Sequence, residues 1–411
     1  MKKLCSVGIF IISLIYSCFK LCHYFCNMRL WLILINICFN IQLYANDSLL
    51  IPKMFQSLLY KQTLTTNFFK EGSFESYRQH NKSLDFKADN NIFFTALITY
   101  TLQNLHPFLT NDENIVTDSI IIRARRSFAN YQNSSGRLSY NFWPTDKKLV
   151  FFPNNFILSS LSNKLALPDD LDDTGIILAC LNLPDSTAQK AHNLMQQFVN
   201  GKSKRIKNTF SAFENVAAYS TWFGKKMPID FDFGVHCNIL SFVNQYHLKW
   251  SKADSATYQL IIQMIDDGYL TSQPKFISPY YATTPILLYH LARLMSTIKM
   301  EELEQRKPVL IKTAQDLLEK SDVFLEKIIL QTTLMKLGSQ ISSSNIDLSD
   351  IDNHLYLNEF SFYHGHLFAH LNGTIKRIAS DLKSTEFKWY SSAFNDCLLL
   401  EYLILKFRKK P

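Results

Sequence analysis

Leu167-Pro168-Asp169-Asp170-Leu171-Asp172-Asp173-Thr174 runs directly into the apolar stretch from Gly175 to Leu183. Four carboxylates fall within five positions, after a proline and before Ile176, Ile177, Leu178, Ala179, Cys180 and Leu181. The helix therefore begins where the acids end. The unpaired N–H groups and positive dipole end of a helix favour a nearby carboxylate by about 0.3 to 1 kcal/mol. Four exceed what capping needs, because like charges this close raise one another's pKa. Such crowding keeps one carboxylic acid protonated near neutral pH, or holds a hard divalent cation such as Mg²⁺ or Ca²⁺. The plain alternative is an over-charged helix start facing water.

Working outward from that stretch, strand signals are scarce from Asp47 on and helical periodicity dominates. One local pattern recurs: a polar or acidic lead-in, then Thr, Asn or Asp, then a strongly apolar helix. Its six instances are anchored at Thr95, Thr174, Asn238, Thr284, Thr333 and Asp396. Helices apolar all round belong in an interior, and amphipathic ones outside. The expected outer partners are Ser119 to Tyr131, Ser186 to Phe198, Ala253 to Asp266 and Pro308 to Leu325, which mix charge with apolar residues at three and four spacing. The expectation is an all-α protein, an (α/α)6 toroid over residues 46–411, with the anchors meeting at one mouth because each opens an inner helix pointing the same way. A bundle or solenoid of helical pairs is the other arrangement such a pattern allows.

The composition supports a sizeable core: 411 residues, 47% hydrophobic and 14% aromatic. The net charge of +8 is spread along the chain, and its densest basic run, Lys406 to Lys410, reads as a solvated terminus, so no nucleic-acid partner is expected. Residues 1–45 differ in kind. Met1-Lys2-Lys3 precedes an apolar run from Val7 to Tyr16, and Met28-Arg29-Leu30 precedes a second from Trp31 to Leu43 that ends at Tyr44-Ala45. A basic segment followed by an apolar one predicts a signal peptide starting at Met28 and cleaved after Ala45, or an uncleaved anchor that keeps the protein near a membrane. The protein is thus expected to be exported, periplasmic or secreted. Cys180, Cys237 and Cys397 lie inside apolar helical runs and read as buried free thiols.

The run Asp170-Leu171-Asp172-Asp173-Thr174-Gly175 resembles the DxDDTA motif of class II terpene cyclases, the squalene-hopene cyclase superfamily, built from α/α barrels. Ala124-Arg125-Arg126-Ser127-Phe128-Ala129-Asn130-Tyr131-Gln132-Asn133-Ser134-Ser135-Gly136, followed by Trp143, resembles one degenerate QW repeat of the same superfamily. That resemblance implies that Asp172 donates a proton to an alkene or epoxide, flanked by Asp170 and Asp173. It also implies aromatic faces for the cations formed afterwards, for which Phe93, Tyr140, Phe142, Trp143, Tyr281 and Tyr363 are candidates. The same residues read as Asp169-Asp170-Leu171-Asp172-Asp173 match the DDxxD magnesium-diphosphate motif of class I terpene synthases. No resident metal is required by the first reading, whereas the second would place Mg²⁺ or Ca²⁺ at Asp169 to Asp173.

A second polar constellation, Pro228 to Asn238, contains Asp230, Asp232 and Asn238. In a toroid it opens onto the same mouth, and two carboxylate sets across a cleft suit acid–base work on a glycosidic bond. A small-molecule or glycan substrate is therefore expected, with Asp169, Asp230, Asp232, Asn238, Trp143, Tyr140 and Tyr363 contributing to binding. His364-Gly365-His366-Leu367-Phe368-Ala369-His370 places His366 and His370 on one face if helical, without the ligand set of a zinc site. The classes left open are an isoprenoid cyclase, a glycan hydrolase or lyase, and a non-catalytic binding toroid.

Overall fold

The computed structural model describes residues 49–64, 68–80, 85–146, 167–224, 227–297, 299–339, 346–348, 351, 360–366, 371–380 and 382–408. The chain divides into two units, Met1–Leu50 and Ile51–Pro411, and the account below is of the second. The expected signal or anchor segment, 1–45, lies outside the described residues. Among the described residues no helix is long and apolar enough to cross a membrane.

The second unit is mostly helical. Six helices are buried on nearly every side: α2 (Phe93–Leu105), α4 (Leu171–Cys180), α6 (Phe233–Gln245), α8 (Thr284–Thr297), α10 (Phe324–Lys336) and α12 (Ser392–Phe407). Each packs on the next in chain order, and α12 packs back on α2, so the six close a ring. Their composition explains the placement. All ten residues of α4 are buried, as are eleven of the thirteen of α6, and a helix without a polar face has nothing to turn to water.

The helices between them are amphipathic. Helix α1 (Leu50–Lys61) reaches α12, where Ser57 Oγ and Lys61 Nζ both donate to Asp396 Oδ2 at 2.6 Å. Helix α3 (Asn111–Phe128) packs on α2, and its start is closed by a capping box in which Thr110 and Glu113 satisfy each other's backbone N–H. Helix α5 (Asp185–Met195) meets α7 (Lys252–Asp266) through His192 Nε2 and Asp254 Oδ2, 2.9 Å apart and fully buried. Helix α7 packs on α6, and α9 (Glu301–Lys320) packs on α10 and α8.

Two expectations need correcting. The outer segment Pro308 to Leu325 is instead α9, which starts at Glu301 and takes Pro308 into its interior, while Phe324 and Leu325 already belong to α10. Glu301, Glu302 and Glu304 suit the dipole of an earlier helix start. As a result Thr333 sits near the end of α10 rather than its beginning, unlike the other five anchors, which lie in the first half of their helices.

The protein also departs from an all-α fold. Strands β1 (Tyr77–His80), β2 (Phe86–Ala88), β3 (Tyr363–His366) and β4 (Glu386–Tyr390) form one antiparallel sheet in the order β2-β1-β4-β3. Tyr77 pairs with Tyr390, and Tyr363 with Trp389. The strands are three to five residues long, too short for alternation to announce them, and they pair across most of the chain. His364 and His366 consequently lie on a strand rather than a helix; Leu367 to His370 fall outside the described residues.

Candidate active site

The acidic run is fixed by backbone before its side chains matter. Asp170 is extended, bridges Tyr140 on one side and Trp222 on the other, and is the N-cap of α4, its Oδ1 accepting from the Asp173 N–H at 2.7 Å. Thr174 Oγ1 accepts from the Tyr140 N–H at 2.8 Å, tying the same turn to the neighbouring segment. These bonds send the four carboxyls in different directions.

Asp169 turns away from the ring interior. Its Oδ2 accepts from Ser139 Oγ at 2.5 Å, Asn133 Nδ2 at 2.6 Å and Arg137 Nη2 at 2.8 Å. It is a structural carboxylate with its charge partnered, and it does not converge with the other three. Among the described residues no group of three or more His, Cys, Asp or Glu side chains is arranged to hold a metal ion.

Asp172 faces inward, 4% exposed. Tyr281 donates from its hydroxyl to Oδ2 at 2.6 Å, and Asn238 from Nδ2 to Oδ1 at 2.8 Å. The Asn238 Oδ1 lies 3.2 Å from His290 Nδ1, which places the imidazole proton on Nδ1. His290 Nε2 has no hydrogen-bond partner among the described residues. Burial, with the nearby Arg293 charge, pushes its pKa well below the usual histidine value, so the ring is neutral. Three segments of the ring thus orient one carboxyl: the loop before α8, α6 and α8 itself.

Burial pushes the Asp172 pKa up to about 6, against the opposing pull of the Tyr281 and Asn238 bonds and of Arg293. Asp170 and Asp173 are pushed well above the ordinary carboxylate range, first by burial and then by neighbouring charge, that of Asp172 and Asp169 at Asp170 and that of Asp170 and Asp172 at Asp173. Their side chains are hydrogen-bonded together, an interaction that favours ionised Asp170 and protonated Asp173. Asp173 Oδ1 has no partner among the described residues. The three acids do not ionise together near neutral pH, because each charge disfavours the next.

Aromatic side chains fill the space over the carboxyls. Tyr363 from β3 lies with its ring centre 4.5 Å from Phe93, 5.4 Å from Phe142, 5.9 Å from Tyr281 and 6.0 Å from Tyr280. Its neighbour Phe362 reaches 4.9 Å from Phe394 and 5.4 Å from His290. Tyr363 is partly buried, and burial together with the nearby Asp170 and Asp172 charges holds its hydroxyl protonated. Gly234 lets the wall close: a Cβ there would stand 2.8 Å from Tyr281 Cε2 and 2.9 Å from Cγ, with Cδ2 closer still.

The second constellation lies beside this site with its oxygens already engaged. Asp232 is the N-cap of α6, and its carboxylate accepts from the Gly234, Val235 and Tyr280 N–H groups and from Ser278 Oγ, while burial raises its pKa to about 7. Asp230 accepts from Asn208 Nδ2 at 2.8 Å and faces Lys376 Nζ at 3.4 Å and the Tyr280 hydroxyl at 3.4 Å. Trp143 donates from Nε1 to Asp89 at 2.9 Å and edges onto Phe142, one ring removed from the acids. Tyr140 serves through its backbone, accepting the Asp170 N–H at 3.2 Å.

Asp170, Asp172, Asp173, Asn238, Tyr281 and Tyr363 are thus gathered at one place, whereas Asp169, Asp230 and Trp143 are held by their own partners nearby. His290 is the residue that sequence reading missed. A lone histidine in Leu287-Leu288-Tyr289-His290-Leu291 reads as core, and only its spacing on the same helix as Tyr289 and Arg293 distinguishes it. No family model, curated protein or solved structure matches this chain.

Proposed function

We propose that this chain is an (α/α)6 toroid that performs acid-initiated chemistry on an isoprenoid-like substrate, in the manner of the class II terpene cyclases that its Asp170 to Thr174 run resembles. The closed ring of α2, α4, α6, α8, α10 and α12, with amphipathic helices between them, supports the architecture. The observation that carries the reaction is Asp172: a buried carboxyl whose pKa is raised to about 6, oriented by Tyr281 and Asn238.

In that reading the Asp172 O–H protonates one carbon of an alkene. The π pair forms the new C–H bond, the adjacent carbon becomes a cation, and Asp172 is left as a carboxylate stabilised by its two donors. Phe93, Phe142 and Tyr363 offer ring faces to the cation. The cascade ends when a proton leaves the last cation to water, and a solvent proton then restores Asp172. Burial keeps the proton affinity of Asp172 high. A glycosidase arrangement draws less support, since the oxygens of Asp230 and Asp232 are already engaged. The basic and apolar halves of residues 1–45 support a site of action outside the cytoplasm.

Incubation of the full chain with squalene and with geranylgeraniol in D₂O tests this. The expected product is an isomer carrying one deuterium at the protonated carbon, absent for Asp172→Asn. Cleavage of a glycan panel by the parent, lost in the same variant, would replace the cyclase reading; activity that survives Asp172→Asn would sink both.

A further inference from the structure

The end of the ring opposite Asp172 holds a cavity of about 10 Å³, lined in part by Tyr100, Asn104, Arg293, Ser296, Lys336 and Glu401. That is about the space one water needs. Arg293 is 6% exposed and lies over two rings, 4.6 Å from the centre of Tyr100 and 5.5 Å from that of Tyr289. Its Nη1 is buried and has no hydrogen-bond partner among the described residues.

The charges around it do not balance. Glu401 is engaged elsewhere: Lys336 Nζ lies 2.9 Å from Oε1, and the Tyr289 hydroxyl donates to Oε2 at 2.5 Å. Two cations therefore face one carboxylate, and the surplus charge sits on Arg293. Ring faces and the carbonyl ends of neighbouring helices offset part of the cost of burying it. They leave the Nη1 donor unsatisfied, which natural interiors rarely tolerate.

We propose that this cavity is a binding site for a monatomic anion, chloride, which accepts from Arg293 Nη1 and neutralises the surplus charge. A monatomic anion is the smallest that can reach the donor there, and a water molecule in the same place would satisfy the donor without touching the charge. The site lies among the C-terminal halves of α2, α8 and α10, and its existence does not depend on the chemistry proposed for Asp172, although the Arg293 charge it would neutralise also acts on the Asp172 carboxyl.

Thermal unfolding of the full chain at fixed pH and ionic strength, with sodium gluconate exchanged stepwise for sodium chloride or bromide, tests the site. Above the dissociation constant, Tm should rise by roughly 2 to 4 °C for each tenfold increase in halide. Arg293→Met should unfold at the same temperature in all three salts. A crystal of the parent grown in bromide needs no variant: an anomalous peak beside Nη1 is expected. Equal Tm in chloride and gluconate for the parent, or no such peak, would overturn the proposal and leave a water site.

Discussion

The Tyr281 hydroxyl donates to the Asp172 carboxylate at 2.6 Å across 109 residues of sequence, and both groups are buried. Hydrogen bonds to a charged group contribute about 1.5 to 3 kcal/mol, and this one favours the ionised form of Asp172. Tyr281→Phe should therefore raise the Asp172 pKa above about 6 and cost stability on that scale. Infrared titration of the carboxyl band in parent and variant reads the first, and urea unfolding the second. An unchanged titration would show that the bond does not act on Asp172.

Stability should fall as pH rises through the mildly acidic range. Asp172 and Asp232 have folded-state pKa values raised to about 6 and about 7, mainly by burial. An unfolded aspartate titrates near 4, so the stability these groups contribute is whole below about pH 4 and is lost as pH climbs through the folded values. The slope is about 1.4 kcal/mol per pH unit for each group. Glu386 works in a different window. Burial opposes its charge, the His364 bond outweighs that, and its pKa falls to about 2, so its contribution disappears only below about pH 4. Urea midpoints between pH 4.5 and 7.5 should decline in the parent and less steeply in Asp172→Asn, where Asp232 still titrates; a parent profile that rises with pH would contradict the assignment.

Gly234→Ala should damage the site without touching a carboxyl. The new methyl would overlap the Tyr281 ring, which is packed against His290 at 4.2 Å and has little room to retreat. Overpacking of this kind costs about 1 to 3 kcal/mol. The displaced ring should also lose its hold on Asp172, so the titration of Gly234→Ala should resemble that of Tyr281→Phe. A variant as stable as the parent, with an unaltered titration, would mean that the wall is softer than it looks.

Lys376 of α11 (Gly373–Ser380) is 2% exposed and faces the wholly buried Asp230. Removing one member of a buried pair strands the other charge and costs about 3 to 5 kcal/mol. Lys376→Met should show that loss in urea unfolding, and the double variant Lys376→Met with Asp230→Asn should recover most of it. Additive losses in the double variant would refute the pairing.

The six inner helices were legible because their apolar residues surround the helix axis, and five of the six polar anchors lie in the first half of their helices. Thr333 misled because α10 begins earlier than its polar residues suggest, with Phe324 and Leu325 at its head. The sheet left almost no trace, since strands such as Phe86–Ala88 are too short to alternate and Tyr77 finds its partner at Tyr390. The acidic run announced a site, but not which acid does what. Asp169 differs from Asp172 only through Arg137, Asn133 and Ser139 on one side and Tyr281 and Asn238 on the other, contacts that no local pattern encodes.

Phe362 and Tyr363 occupy the hollow that a bulky guest would need. Such a guest has to wait for the segment that carries them, paired with β4 on one side and tied by the His364 N–H to the Tyr280 carbonyl on the other, to withdraw both rings. Association should then be gated by the protein: observed on-rates should level off as guest concentration rises, and their plateau should climb when Tyr363 is replaced by alanine. On-rates that stay linear in guest concentration would place the guest elsewhere.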